Sequence, residues 1–182
     1  MIQNFFNKFK NKKSNLEPTI NELMQLNLTA SFGPRGIIFE YSPNDTYVNK
    51  VNKNLDYLPH VVPRLKKLEI LNLSQNKFVE IPKQIFRITT LRELRFSTNQ
   101  ITYLPKEIYK LKNLEVLDLS NNNISNVPIQ ICKLKNLRLL DLSNNNLTSI
   151  PKEIIKLQNL RILDLQNNRL KSLPFRLNTK NF

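Results

Sequence analysis

Residues 114–136 read LEVLDLSNNNISNVPIQICKLKN, and the segments on either side repeat them with few changes. Leu68, Leu91, Leu114, Leu137 and Leu160 open five segments spaced 23 residues apart, with no insertion or deletion. Each follows L-x-x-L-x-[LF]-x-x-N-x-[LIF]-x-x-[LIV]-P-x-x-[IL]-x-x-[LI]-x-x, apart from the frayed end of the last. A fixed period of this size marks a solenoid, in which each unit buries its apolar side against the next. The expected class is therefore α/β: short strands on one side of each coil and short helical turns on the other.

Within one coil, Val116-Leu117-Asp118 has strand character. Side chains alternate along a strand, so Leu117 and Leu119 point inward while Val116 and Asp118 point outward. Stacking the coils lines these strands into one parallel sheet on the concave side. The second half, VPIQICKLKN, returns along the convex side. Its proline favours an extended approach, and Ile-x-x-Leu spacing suits one tight 3-10 turn.

Outside the five coils the pattern decays. Residues 45–67 form a degenerate coil in the same register: Leu58, Pro59, Val62 and Leu65 fall where Ile81, Pro82, Ile85 and Ile88 fall one period later. Lys50 takes an inward strand position and Lys53 the usual Asn position, which predicts either imperfect pairing or a strand shifted to use Val51. Residues 17–44 read as an N-terminal cap, with a helix over 17–29, a break at SFGPRG and a strand at IIFEY, residues 37–41. A solenoid needs such an element over its exposed first coil. Residues 1–16 form a basic lead in which Phe5, Phe6 and Phe9 sit among lysines. That lead is either a flexible terminus or a weak binder of anionic membrane surfaces. At the other end Phe175, Leu177 and Phe182 are candidates to fold over the last coil; otherwise the open end favours self-association through its free edge.

Composition narrows the function classes. Of the 182 residues 40% are apolar, with only two Gly and no Trp. With glycine so scarce, left-handed turn positions must fall to other residues, and Asn tolerates them best. The formal net charge of +14 comes from both the leader and the repeats, with no arginine-rich block. It gives salt-sensitive attraction to polyanions and implies no specific nucleic acid. Cys132 is the sole cysteine, which excludes an intramolecular disulfide and favours a reducing, cytoplasmic setting. Export as a host-delivered effector without a cleaved signal remains an alternative.

The motif residues LEVLDLSNNNISNVPIQI and LRLLDLSNNNLTSIPKEI resemble the leucine-rich-repeat superfamily, in its 23-residue LPxxI-type class. The same class includes intracellular Ras-associated scaffold proteins and many bacterial repeat proteins. The resemblance implies a right-handed solenoid, a curved protein-binding module without enzymatic activity and without a cofactor. It further implies that Asn76, Asn99, Asn122, Asn145 and Asn168 form a buried structural ladder. The physical reason is clear: tight turns orphan backbone donors and acceptors, and a carboxamide supplies both partners.

Chemical motifs are sparse. His60, the one histidine, lies some three coils from Cys132, so a Cys–His nucleophile is not expected. No Cys/His cluster has zinc spacing, and neither GxxxxGK[ST] nor GxGxxG occurs. Asp118, Asp141 and Asp164 stack about 5 Å apart on successive strands. They form either a solvated acidic stripe or, less simply, a cation or acid–base site.

The variable outward positions define the candidate partner-binding face. One column reads Ile70, Glu93, Val116, Leu139, Ile162; the next reads Asn72, Arg95, Asp118, Asp141, Asp164. Arg92, Arg138 and Arg161 flank them, together with Glu69 and Glu115. Ser74, Ser97, Ser120 and Ser143, then Gln75, Thr98, Asn121, Asn144 and Asn167, form further columns of little variation. An apolar strip rimmed by charge suits a protein or peptide partner, although apolar residues here also simply support β structure. Positive charge collects instead on the convex return, at Lys83, Lys106, Lys152, Arg87, Lys110, Lys133 and Lys156. That ridge reads first as a solvating face.

Overall fold

A computed structural model describes residues 29–32, 38–42, 44–58 and 62–173. The basic lead, His60 and the C-terminal aromatics lie outside the described residues, as does the expected helix except for its last residue. That residue, Thr29, belongs instead to a strand. β1 (Thr29–Phe32) pairs antiparallel with β2 (Ile38–Tyr41), with Thr29 opposite Tyr41 and Phe32 opposite Ile38. Ser31 and Phe32, assigned above to the break, are therefore strand residues. Ladder partners eight and six residues downstream, Phe39 and Ile38, outweighed the local turn signal.

The repeats form a second sheet of six parallel strands in sequence order. These are β3 (Tyr47–Asn49), β4 (Ile70–Asn72), β5 (Glu93–Arg95), β6 (Val116–Asp118), β7 (Leu139–Asp141) and β8 (Ile162–Asp164). Every pairing joins residues one period apart, as in Val116 with Leu139 and Asp118 with Asp141. The degenerate coil keeps the same register: Val48 pairs with Leu71 and is buried. No shift to Val51 occurs, because Val48 already fills the inward site and the backbone ladder continues from Lys50 N–H to Asn72 O at 2.8 Å.

The return side is a row of 3-10 turns: Val62–Arg64, Lys83–Arg87, Lys106–Lys110, Ile129–Lys133 and Lys152–Lys156. Pro82, Pro105, Pro128 and Pro151 precede the last four, with φ between −58° and −70° and extended ψ. Proline's fixed φ presets that approach, and its carbonyl accepts the first turn bond, as in Ile131 N–H to Pro128 O at 3.0 Å. Between the two rows runs a continuous apolar core, from Val48 to Leu160, in which Leu94, Leu117 and Leu140 are fully buried. Among the described residues no helix is long and apolar enough to cross a membrane.

Two amide ladders tie coil to coil. In the inner one, Asn122 accepts from Ile101 N–H at 2.9 Å and donates to the carbonyls of Phe96, Leu119 and Ser120. Asn76, Asn99 and Asn145 are also buried and bond alike; Asn168 keeps the pattern but is half-exposed. The outer ladder was not anticipated. Asn113, Asn136 and Asn159 each donate to a carbonyl of the preceding coil, at Thr89, Lys112 and Lys135, over 2.8–2.9 Å.

Left-handed turns occupy a third column. Gln75, Thr98, Asn121, Asn144 and Asn167 all have φ between 53° and 56°. Asn accepts that conformation readily, whereas a β-branched residue there is strained. Thr98→Asn is therefore expected to stabilise the chain by about 1 kcal/mol, measured by chemical denaturation. An unchanged midpoint would show that Thr98 is not strained.

Candidate functional site: the outward face of the sheet

Each of the first five three-residue strands buries its middle leucine or valine and turns its first and third side chains outward; in β8 the middle Leu163 is half-buried at the end of the described stack. Exact register then assembles the columns. The first runs Tyr47, Ile70, Glu93, Val116, Leu139, Ile162; the second runs Asn49, Asn72, Arg95, Asp118, Asp141, Asp164. Tyr47 and Asn49 were missed in the sequence, although stepping back 23 residues from Ile70 and Asn72 lands on them. Tyr47 is 53% exposed and Ile162 likewise, so the strip is open at both ends and half-buried in the middle at Val116 and Leu139.

The N-terminal half of this face is internally neutralised. Glu69, Arg92, Glu115 and Arg138 form a chain of ion pairs at 3.7, 2.9 and 3.4 Å. Arg95 bonds Glu93 and lies 3.8 Å from Asp118. The Glu93 hydrogen bond, opposed by partial burial, holds the Arg95 guanidinium above its ordinary pKa, so it stays charged. These pairs are partly exposed and each contributes at most about 1 kcal/mol to stability. Their effect is to use up charge that a partner would otherwise meet.

The C-terminal half differs. Among the described residues, no carboxylate lies within 4 Å of Arg161 and no cation within 4 Å of Asp141 or Asp164. The acidic column also has a local task. One oxygen of Asp118, Asp141 and Asp164 accepts the backbone N–H two residues on, at 3.1, 2.9 and 2.9 Å. Asn72 does the same for Ser74 N–H at 3.1 Å. These are Asx turns that bend the chain out of the strand. Half of each carboxylate is thus committed to the coil, and Oδ2 of Asp141 and Asp164 makes no hydrogen bond among the described residues.

Among the described residues no group of three or more His, Cys, Asp or Glu is placed to hold a metal ion. Cys132 is buried on the return side, and desolvation raises its thiol pKa, the opposite of an activated nucleophile.

Family models described as leucine rich repeat match residues 112–170, 83–140 and 67–88, together more than half the chain. The chain belongs to the leucine-rich-repeat family. Among solved structures, a leucine-rich-repeat protein of Leptospira interrogans is 36% identical with a TM-score of 0.70, over 86% of this chain and 36% of that one. A plant peptide hormone receptor, RGFR1 in complex with RGF2, is 33% identical with a TM-score of 0.57, over 64% of this chain and 19% of that one. The leucine-rich-repeat ectodomain of the Arabidopsis thaliana receptor kinase SOBIR1 is 25% identical, TM-score 0.61, with 82% of both chains covered. This chain therefore spans about a third of the Leptospira protein and a fifth of the plant hormone receptor. No curated protein matches it. Leucine-rich-repeat domains serve in general as protein-interaction modules and are typically non-enzymatic.

Proposed function

We propose that this leucine-rich-repeat chain is a non-enzymatic scaffold that holds a protein or peptide across its concave sheet, chiefly on the last three coils. One observation carries the reading. Val116, Leu139 and Ile162 form an in-register apolar strip, bordered by the Arg138–Arg161 row on one side and by Asp141 and Asp164 on the other. An apolar centre with a charged rim is the anatomy of a binding face. The strip's neighbouring strands lie about 5 Å apart, so an extended segment crossing them meets a new apolar side chain at each coil. Open carboxylate oxygens on one border favour basic groups there, and Arg161, outside the ion-pair chain that takes up Arg138, favours an acidic group on the other. Support for a peptide ligand comes from the similar plant hormone receptor, whose structure contains RGF2.

The test uses partners captured from the native cell by the wild-type chain. Val116→Ser, Leu139→Ser and Asp141→Lys combined should reduce capture at least about tenfold while the circular dichroism spectrum is unchanged. Full capture by the folded triple variant would refute the concave site.

A further inference from the structure

The return side carries an apolar interruption that the repeat does not require. Position one of the four five-residue 3-10 turns is Lys83, Lys106 and Lys152 in the first, second and last, but Ile129 in the third. Position four is buried Phe86 in the first, then Tyr109, Cys132 and Ile155. Ile129 is 52% exposed, Ile155 64% and Tyr109 36%. Residues i and i+3 eclipse in a 3-10 helix, so Ile129 shares a face with Cys132, whose counterparts in the adjacent coils are Tyr109 and Ile155. The three exposed side chains therefore cluster on three consecutive coils.

Lysines frame this cluster. Lys110, Lys133 and Lys156 form one exposed column, and Lys106 and Lys152 stand on either side of Ile129. Lys133 Nζ lies 5.3 Å from the centre of the Tyr109 ring, which links the basic and apolar parts directly. None of the five has a carboxylate within 4 Å among the described residues, in contrast to the paired arginines of the sheet. Two carboxylates, Glu107 and Glu153, share these turns, so the five lysines keep an excess of positive charge on this side.

We propose that the return side of the coils from Lys106 to Lys156 docks on a bilayer surface rich in anionic lipid. The chemistry separates this occupant from the two rivals. Protein interfaces are depleted in lysine and favour arginine, so a lysine frame fits a diffuse negative surface better than a protein patch. Nucleic acid would use the lysines but has no use for exposed isoleucines, and the patch has only one aromatic for base stacking. A lipid interface uses both: apolar side chains enter the acyl boundary while lysine stems lie along it with their ammonium groups at the headgroups. A basic cluster alone or an apolar patch alone binds weakly, whereas together they supply the two signals that peripheral attachment requires. This site is separate from the concave face, and its failure would leave the peptide-binding reading untouched.

The test is co-sedimentation of the full chain with phosphatidylserine-rich vesicles, with phosphatidylcholine vesicles as the neutral control. Wild-type chain should sediment only with the former. Lys110→Glu, Lys133→Glu and Lys156→Glu combined should weaken binding by more than about tenfold. Ile129→Ser with Ile155→Ser keeps the charge, alters only exposed side chains, and should weaken it by about tenfold. Unchanged sedimentation of the isoleucine variant overturns the proposal. So does absence of wild-type binding, or binding to a duplex oligonucleotide in place of vesicles. Loss of binding on deleting residues 1–16, with the return-side variants unaffected, would move the site to the basic lead and also overturn it.

Discussion

Replacing Asn122 by Ala is expected to destabilise the chain by roughly 3 kcal/mol, read as a fall in the denaturation midpoint. Its amide accepts from Ile101 N–H and donates to three carbonyls, all in or beside the core. The carbonyls of Phe96 and Leu119 each keep a second rung of the ladder, Asn99 and Asn145 respectively. Ile101 N–H keeps nothing, and an orphaned buried donor alone costs about 1–3 kcal/mol. Loss of support for the neighbouring turn adds to that. Position in the stack provides the internal control. Asn168 makes the same kind of bonds at the half-exposed last coil, where water can replace them. Asn168→Ala should cost only about 1 kcal/mol. Equal effects at the two sites would mean that the ladder is decoration on a stack held by leucines alone.

Phe96→Ala should cost about 3–5 kcal/mol, and even Phe96→Leu about 1 kcal/mol. The second value is the sharper one, because leucine is what Leu73, Leu119 and Leu142 place at this inward position. Consensus reasoning would therefore predict a gain. The structure predicts a loss. Phe96 is fully buried and meets Phe78 of the preceding coil edge-on, ring centroids 5.2 Å apart at 83°. Phe78 likewise departs from the aliphatic residues Ile101, Ile124 and Leu147 of its own column. The two aromatics fill each other's space, so shortening one leaves a cavity beside the other. Phe78→Ile combined with Phe96→Leu should then cost less than the two single changes added together, by about 0.5–1.5 kcal/mol. Strict additivity would show that the rings do not interact.

Both predictions rest on register, and register was the part most legible in the sequence. An unbroken 23-residue period forces residue n to lie beside residue n+23, so the period alone assigns Leu117, Asn122 and Pro128 their places in the coil. The periodic signal also reached the degenerate coil, where Val48 still pairs with Leu71 despite Lys50 and Lys53. What the period does not encode was harder to read. The antiparallel β1–β2 pairing joins residues on either side of a stretch whose sequence, with Gly33 and Pro34, reads locally only as a break. Asp118 and Asp141 were read for their charge, yet each commits one oxygen to Ser120 or Ser143 in its own turn. Outside the strand, Asn113, Asn136 and Asn159 recur with the period, yet nothing in the sequence marks the carbonyls of the preceding coil as their acceptors. The candidate site was legible as columns but not as halves. Only the ion pairs reveal that Glu69 through Arg138 neutralise one another, while Asp141, Asp164 and Arg161 have no ion pair among the described residues.

That division places the binding claim on Val116, Leu139 and Ile162, and methyl resonances can test it directly. The isoleucine, leucine and valine methyls of the full chain would be followed by NMR while a captured protein or peptide partner is added. The account predicts shifts concentrated at Val116, Leu139 and Ile162, with Ile129 and Ile155 on the return side unmoved. Shifts confined to Ile129 and Ile155, with the three sheet residues silent, would contradict it.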